Sequence, residues 1–358
     1  MEVHNANSLS DYVRIISKIA LKEGGSGILW FRGVSNWYYA LIPSLYREND
    51  LFDYGTNTGK KYTAVHYAED VRTQHYIAKN YHFYDKLPTS RVEWLEVMQH
   101  HCVRTRVLDW SESSIHSLLF AVEPFIDTSK YSMEDRKHQN PCVWVLQPQK
   151  LNRNIIQYLL DDRNRDFIKE KVCGELKMTD REWREVELQM NYFEDLYEAA
   201  DRWKSMRHLN GIVNLSEIND EMLRDRSRLK EMLCSGEMLP IFYFLSRIYS
   251  DGMLLEKRGL PPLAVVEAYH SERIKAQKGV FTVYPVYQEK ETDDILRRSG
   301  LDPNGMQNMV RAEDCMVCIN LLRPGQIARE LLRNGVRDSW LYPENPIIAN
   351  EIENCGII

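Results

Sequence analysis

The sequence lacks the features of membrane-spanning, secreted and general nucleic-acid-binding proteins. No apolar run approaches the roughly 20 residues that a transmembrane helix needs. The first residues, Met1 to Asn5, are polar and acidic, so they lack the basic and apolar segments of a signal peptide. Acidic residues outnumber basic ones, 52 to 46, and this balance predicts no general nucleic-acid-binding patch. We therefore expect a cytoplasmic protein without membrane association.

Cysteine is sparse, and its positions do not suggest pairing. The seven cysteines are an odd number scattered between positions 102 and 355, which favours reduced thiols over a disulfide framework. Cys315 and Cys318 have the spacing of half a zinc site, but no second ligand pair at suitable spacing is evident. We interpret that segment as a buried strand and expect no bound metal.

The remaining composition and the hydrophobic patterns predict an α+β protein. Hydrophobic residues make up 44% and charged residues 27% of the 358 residues, which is ordinary for a globular chain that can build one large domain or two modest ones. Helical patterns cover 8–20, 62–84, 90–101 and 325–334, and the third of them opens with a capping box of Ser90 and Glu93. A further helical pattern follows Ser111, and we expect Pro124 to end it. Strand patterns cover 28–31, 104–110, 142–146, 263–269, 279–287 and 314–322.

The chain changes character in its middle part. From about residue 151 to residue 238, charged residues dominate and one helical pattern follows another. We interpret 1–150 and 261–358 as two parts of one folded domain, and 151–260 as a large helical insertion. The insertion is either a solvated helical subdomain or a surface that binds a partner protein or a second copy of the chain.

The densest group of hydrogen-bonding side chains lies between Gln99 and Ser111. Gln, two His, two Arg, Thr, Asp and Ser occur there between two helical patterns, which is typical of a pocket lining and not of a core. Upstream, the apolar run from Ile28 to Phe31 predicts a strand that ends in a turn at Arg32-Gly33. We expect the two segments to line one site.

These segments carry a family resemblance. The chain resembles the FRG domain family, which is named for its Phe-Arg-Gly triplet. The matching segments are Phe31-Arg32-Gly33-Val34, Gln99-His100, Thr105 to Ser111 and Leu119-Phe120-Ala121. A third segment, Arg273 to Phe281, resembles the family signature Arg-x-x-x-Gln-x-Gly-x-Phe. Cys102, Ser111 and Ser117 depart from the family pattern by small-for-small exchanges. The resemblance makes 1–150 and 261–358 the two parts of an FRG domain. Some members of the family accompany defence or toxin-like proteins.

A weaker resemblance is to ADP-ribosyltransferases, which begin with an aromatic-Arg-Gly at the end of a first strand. They continue with a Ser/Thr-rich strand and a helix, and they finish with a strand that carries a Glu. The resemblance implies an ADP-ribosyltransferase-like split sheet of short strands, with NAD as the substrate and a macromolecular acceptor. The expected Glu-x-Glu is absent here. Gln277 stands near its place, and Glu267 and Glu272 are the candidate carboxylates nearby.

Three residues are the candidates for catalysis. Arg32 can grip a phosphate in a bidentate fashion, or it can pair with Asp109 and tie two strands together. His100 can bond a ribose hydroxyl or act as an acid or base, or it can cap its own helix. Gln277 would lie near the nicotinamide ribose, although a neutral amide cannot stabilise a developing cation as a carboxylate does.

A wider set of residues is predicted to bind the nucleotide. It consists of Arg32, Gly33, Gln99, Thr105, Arg106, Asp109, Ser111 and Arg273. Gly33 would let the backbone approach the ligand closely. Ser111 would hold an anion at a helix N-terminus, or it would be an ordinary N-cap. Thr105, Arg106 and Asp109 are equally consistent with a buried network that fixes the fold.

Two hypotheses from different functional classes follow. The first is an NAD-using ADP-ribosyltransferase or NAD glycohydrolase that acts as a toxin or an anti-phage effector. The second is a non-catalytic module that senses a nucleotide or a phage component through the same site, and the missing Glu-x-Glu favours it. A hydrolase that uses His100 and Asp109 ranks last, because no nucleophile motif accompanies them.

Overall fold

The computed structural model describes residues 2–22, 28–39, 41–46, 64–84, 87–126, 132–133, 136, 139–198, 224–236, 240–249, 261–266, 272–285, 315–343 and 347. These residues form a mixed α+β fold, which confirms the predicted class. None of the helices in this part of the chain is long and apolar enough to cross a bilayer.

The strands form a seven-stranded sheet in the order β1-β7-β4-β2-β3-β6-β5. Their bounds are β1 Glu2–Ala6, β2 Trp30–Val34, β3 Val107–Ser111, β4 Cys142–Leu146, β5 Leu263–Val265, β6 Gly279–Val283 and β7 Met316–Leu321. All neighbours are antiparallel except β1 and β7. The strands are short, and β4 is buried along its whole length.

The helices cover both faces of this sheet. Their bounds are α1 Leu9–Lys22, α2 Ala64–Asn80, α3 Arg91–His100, α4 Ser114–Ile126, α5 Pro148–Leu160, α6 Asp162–Leu176, α7 Asp180–Glu198, α8 Arg226–Ser235, α9 Pro240–Tyr249, α10 Glu272–Ala276 and α11 Pro324–Arg333. Short 3₁₀ turns lie at Ser44–Tyr46, Tyr81–Phe83 and Asp338–Trp340. The predicted helical character of the middle region is therefore confirmed for α5 to α9.

Two apolar clusters hold the layers together. One cluster contains Phe31, Leu118, Ile319 and Leu331, so it joins α4 and α11 to one face of the sheet. The other cluster continues from the strands of the opposite face into the helical region, and it contains Trp30, Trp144, Leu151, Trp183 and Phe244. The helices of the middle region thus share a core with the sheet, and the predicted division of the chain into three parts stays a prediction.

Local signals predicted several boundaries well. The capping box is confirmed, since Ser90 Oγ accepts from the Glu93 N–H at 3.2 Å and Glu93 Oε2 accepts from the Ser90 N–H at 3.2 Å. Pro324 occupies the first turn of α11, and Gly335 follows it with φ +79°. Pro124, which we expected to end α4, lies inside that helix.

The predicted turn at Arg32-Gly33 is wrong. Strand β2 continues through both residues to Val34, and Arg32 pairs with Trp144 of β4. Pairing with the apolar strand β4 keeps this segment extended, and the polar side chain of Arg32 does not end the strand.

The predicted ADP-ribosyltransferase-like split sheet is not confirmed. The strands make one sheet, but Phe31 and Ser111 are the single residue pair between β2 and β3 in the described part of the chain. By contrast, β2 pairs with β4 over five residue pairs. The sheet is therefore weakest at the junction of β2 and β3, next to Arg32.

Candidate functional site

The three sequence motifs come together on three neighbouring strands. Arg32 lies on β2, Ser111 ends β3, and Gln277 lies two residues before β6. The strands are adjacent in the order β2-β3-β6, and Ser111 pairs with Phe31 on one side and with Gly279 on the other. Segments that are far apart in sequence thus meet at one junction of the sheet.

Arg32 bridges β2 and β3 at this junction. Its Nη1 donates to the Asp109 carbonyl oxygen at 2.6 Å and lies 3.9 Å from Asp109 Oδ2. The arginine side chain is 19% exposed and the aspartate side chain 47%, so solvent reaches the carboxylate. This is the strand tie that we considered as an alternative, and it leaves the pair accessible to a ligand.

A relay of hydrogen bonds fixes the Asp109 carboxylate. Thr105 Oγ1 donates to Gln99 Oε1 at 2.8 Å, and Ser44 Oγ lies 3.3 Å from the same oxygen. Because these hydroxyls take the amide oxygen, the Gln99 NH₂ group faces Asp109, and its Nε2 donates to Oδ2 at 3.1 Å. Thr105 is fully buried, so it positions Gln99 and does not reach a ligand. Ser44 was missed, because no motif marks it.

Arg106 is a structural residue. Its side chain is 1% exposed, its Nε lies 3.4 Å from Glu69 Oε2, and its Nη2 donates to the Tyr249 carbonyl at 3.0 Å. The Arg106 N–H also donates to Glu69 Oε1 at 2.9 Å. Arg106 thus anchors β3 to α2 and α9, and a ligand would have to break a buried ion pair to bind it. The ligand-binding role of Arg106 stays a prediction.

Gly33 is explained by helix packing. A Cβ at this position would lie 1.7 Å from the Ser117 carbonyl oxygen and 2.8 Å from the Ala121 backbone nitrogen, both on α4. Glycine is required because β2 and α4 are in backbone contact. The expectation that Gly33 also admits a ligand stays a prediction.

Ser111 ties β3 to the turn before β6. Its Oγ donates to the Gln277 carbonyl at 2.6 Å and accepts from the Ser113 N–H at 3.0 Å. At the start of α4 it is Ser113 Oγ that accepts from the His116 N–H, at 3.3 Å. Ser111 is buried, and Ser113 supplies the N-cap that we considered for Ser111. The anion site at Ser111 stays a prediction.

Gln277 and Arg273 contact the segment that follows α11. Gln277 Nε2 donates to the Leu341 carbonyl at 2.9 Å. The Arg273 guanidinium lies 4.5 Å from the centre of the Tyr342 ring, a cation–π distance. The structure therefore brings the Gln277 backbone to β3 through Ser111, while the Gln277 side chain faces the C-terminal segment.

His116 is a further polar residue of this region that the sequence did not reveal. Burial lowers its pKa, against an opposing contribution from a hydrogen bond to the Gln277 backbone, and the charge of Lys278 lowers the pKa further. The imidazole meets the Trp340 ring edge-on at 6.4 Å. His116 and Ser111 thus both hold the Gln277 backbone.

Two other predicted residues, His100 and Glu272, lie on helices α3 and α10. His100 is the last residue of α3, is partly buried, and has its ring 5.1 Å from that of His101. The Glu272 side chain is 85% exposed and lies 3.8 Å from Lys275 Nζ. Glu267 lies outside the described residues. No cluster of three or more metal-ligating side chains occurs among the residues that the structure describes.

Comparison with known families identifies one of the resemblances. The family model of the FRG domain matches residues 27–130, which include the first two motifs. The match covers under a third of the 358 residues, and the third motif, Arg273 to Phe281, lies outside it. Comparisons with curated proteins and with solved structures gave no match.

Proposed function

We propose, from the premise that residues 27–130 form an FRG domain, that this chain uses NAD and binds it at the junction of β2 and β3. The observation that carries the proposal is the accessible pair of Arg32 and Asp109 on neighbouring strands, held in place by the Gln99 relay. A site whose side chains are fixed before the ligand arrives loses less conformational entropy on binding.

The reaction that follows from the ADP-ribosyltransferase resemblance is cleavage of the bond between nicotinamide and ribose. The bonding electron pair leaves with the nicotinamide nitrogen, and positive charge develops on the ribose. A nucleophile on a macromolecular acceptor, or water, then forms the new bond to the ribose carbon and loses a proton. Fixed negative charge near the ribose lowers the barrier, because its attraction to the ribose is stronger in the transition state, where positive charge develops, than in the ground state.

A sensing module is the second candidate, and one contact favours it. The Gln277 side chain, which stands near the place of the catalytic carboxylate, donates to the Leu341 carbonyl. In this arrangement the same junction binds a nucleotide or a phage component without bond cleavage. A toxin or anti-phage role rests on the family resemblance for either candidate.

Nicotinamide release separates the two candidates. The purified chain is incubated with NAD, and the wild type is compared with Arg32→Lys, which keeps the charge but loses the planar guanidinium. Arg14→Lys is the control, because Arg14 is a surface residue of α1 with a side chain 67% exposed. Release that disappears only in Arg32→Lys supports the enzyme. Binding of NAD without release supports the sensor, and absence of both refutes the proposed use of NAD.

A further inference from the structure

We propose that Asp109 determines the specificity of the Arg32 site, because its carboxylate accepts hydrogen bonds from a ribose diol and repels a phosphate at the same position. The inference rests on the proposed function, since it names the part of the nucleotide that binds there. It also revises the expectation that Arg32 grips a phosphate.

The Asp109 carboxylate has unused accepting capacity. An ionised carboxylate has about four lone-pair positions and no donor. Among the described residues, Oδ2 accepts from Gln99 Nε2 at 3.1 Å and lies 3.9 Å from Arg32 Nη1, while Oδ1 has no hydrogen-bond partner. The side chain is 47% exposed, so the open oxygen is available to donors from solution.

The charge of the Arg32 and Asp109 pair also favours an uncharged ligand group. Arg32 and Asp109 together carry no net charge, and the carboxylate lies close to the guanidinium edge that faces it. A phosphate that approached Arg32 would bring negative oxygens close to the negative carboxylate, which costs binding energy. A ribose diol carries no charge, donates two O–H groups to the carboxylate, and accepts from the guanidinium through its oxygens.

The fold also orients the Asp109 carboxylate. Thr105 and Ser44 occupy the amide oxygen of Gln99, and this fixes the amide nitrogen toward Asp109. Glu272, the candidate carboxylate that the structure describes, is 85% exposed and lies beside Lys275. Asp109 is the carboxylate that the described contacts place next to Arg32.

Competition binding tests the inference with four probes. NAD binding is measured by calorimetry on the full chain, and nicotinamide riboside, adenosine and inorganic pyrophosphate are added as competitors. We expect at least one of the two nucleosides, which carry the diol without phosphate, to displace NAD. Pyrophosphate, which carries the charge without the diol, is expected not to displace it at comparable concentrations.

Asp109→Asn is the decisive variant. Asparagine has nearly the same shape and can still accept from Gln99, but it loses the charge and one acceptor. We expect the competing nucleoside to bind roughly 10- to 100-fold more weakly, the range for a lost hydrogen bond to a charged group, and pyrophosphate to bind more tightly. Asp180→Asn is the control, since the Asp180 side chain is 85% exposed and lies on α7.

The outcomes are distinguishable. If pyrophosphate displaces NAD from the wild type and Asp109→Asn leaves nucleoside binding unchanged, the inference is overturned while the use of NAD stands. If NAD does not bind the wild type at all, both are overturned. If Asp109→Asn does not fold, Gln99→Leu gives the second test, because it releases the carboxylate from its fixed orientation and is expected to weaken the nucleoside more than pyrophosphate.

Discussion

Replacing Gly33 by alanine tests the packing of β2 on α4, on which the position of Arg32 depends. The added Cβ would lie 1.7 Å from the Ser117 carbonyl oxygen, whereas ordinary contact begins near 3.4 Å. The strand and the helix must therefore separate by about 1.7 Å along that direction. Both facing atoms belong to the helix backbone, so no side-chain rotation relieves the clash.

The expected cost of this change is large. Overpacking a core costs about 1–3 kcal/mol when side chains can adjust, and we expect Gly33→Ala to reach or exceed the upper end because backbone must move. The measurement is the free energy of unfolding by urea, together with the thermal midpoint. Arg32 is the next residue, so we also expect weaker NAD binding by the folded fraction.

A matched glycine substitution gives the control. Gly174 lies in α6, and a Cβ there would meet no atom within 4 Å. Gly174→Ala is expected to stabilise the protein by about 0.4–1 kcal/mol, because it restricts the unfolded chain without strain in the folded one. The packing argument is refuted if Gly33→Ala unfolds at the same urea concentration as the wild type.

Three further predictions concern residues around the site. Glu69→Gln should lower the free energy of unfolding by about 3–5 kcal/mol in urea titrations, because it removes the buried negative charge that lies 3.4 Å from Arg106 Nε. Ser90→Ala should cost about 0.5–2 kcal/mol in the same titrations through loss of the α3 cap. Burial lowers the pKa of His116 in the folded protein below its unfolded-state value of about 6.5. The stability that neutral His116 contributes is therefore complete above about pH 6.5 and is lost as the pH falls through the folded-state pKa. Thermal midpoints of His116→Gln should therefore fall less than those of the wild type between about pH 6.5 and pH 5.

Each of these predictions has a contrary result. A Glu69→Gln protein that unfolds like the wild type would mean that Arg106 is not held by the ion pair. An unchanged stability of Ser90→Ala would contradict the observed capping box. Parallel pH profiles for the wild type and His116→Gln would contradict the assignment of the acid sensitivity to that histidine.

Local signals in the sequence were enough to predict much of the fold. Strand β4 has the predicted bounds Cys142–Leu146, since a continuous apolar run can be buried on both faces whatever surrounds it. The start of α3 followed from Ser90 and Glu93, because a capping box involves only residues three apart. Both features depend on interactions within a short segment.

The errors arose where distant parts of the chain decide the outcome. Arg32 looked like the end of a strand, but pairing with β4 extends β2 beyond it. The sequence also showed no sign that Arg106 forms a buried ion pair with Glu69 on a distant helix. Ser44 and His116 carried no signal, since their roles depend on Gln99 and Gln277, which only the folded chain brings near.

The candidate site was predicted in part. The sequence pointed to Arg32, Gln99, Thr105 and Asp109, and the structure joins these residues in one hydrogen-bonded group. The sequence could not show that the Arg32 guanidinium already donates to Asp109, because the choice between a strand tie and a ligand contact depends on the distance between two strands. That contact is the reason for revising the expected ligand from a phosphate to a diol.

Calorimetric titration of NAD into the wild type and Arg32→Lys tests the central claim most directly. The account predicts saturable binding to one site, with an affinity roughly 10- to 100-fold lower in Arg32→Lys and unchanged in Arg14→Lys. Equal affinity of NAD for the wild type and Arg32→Lys, or no saturable binding by the wild type, would contradict the assignment of a nucleotide site to the junction of β2 and β3.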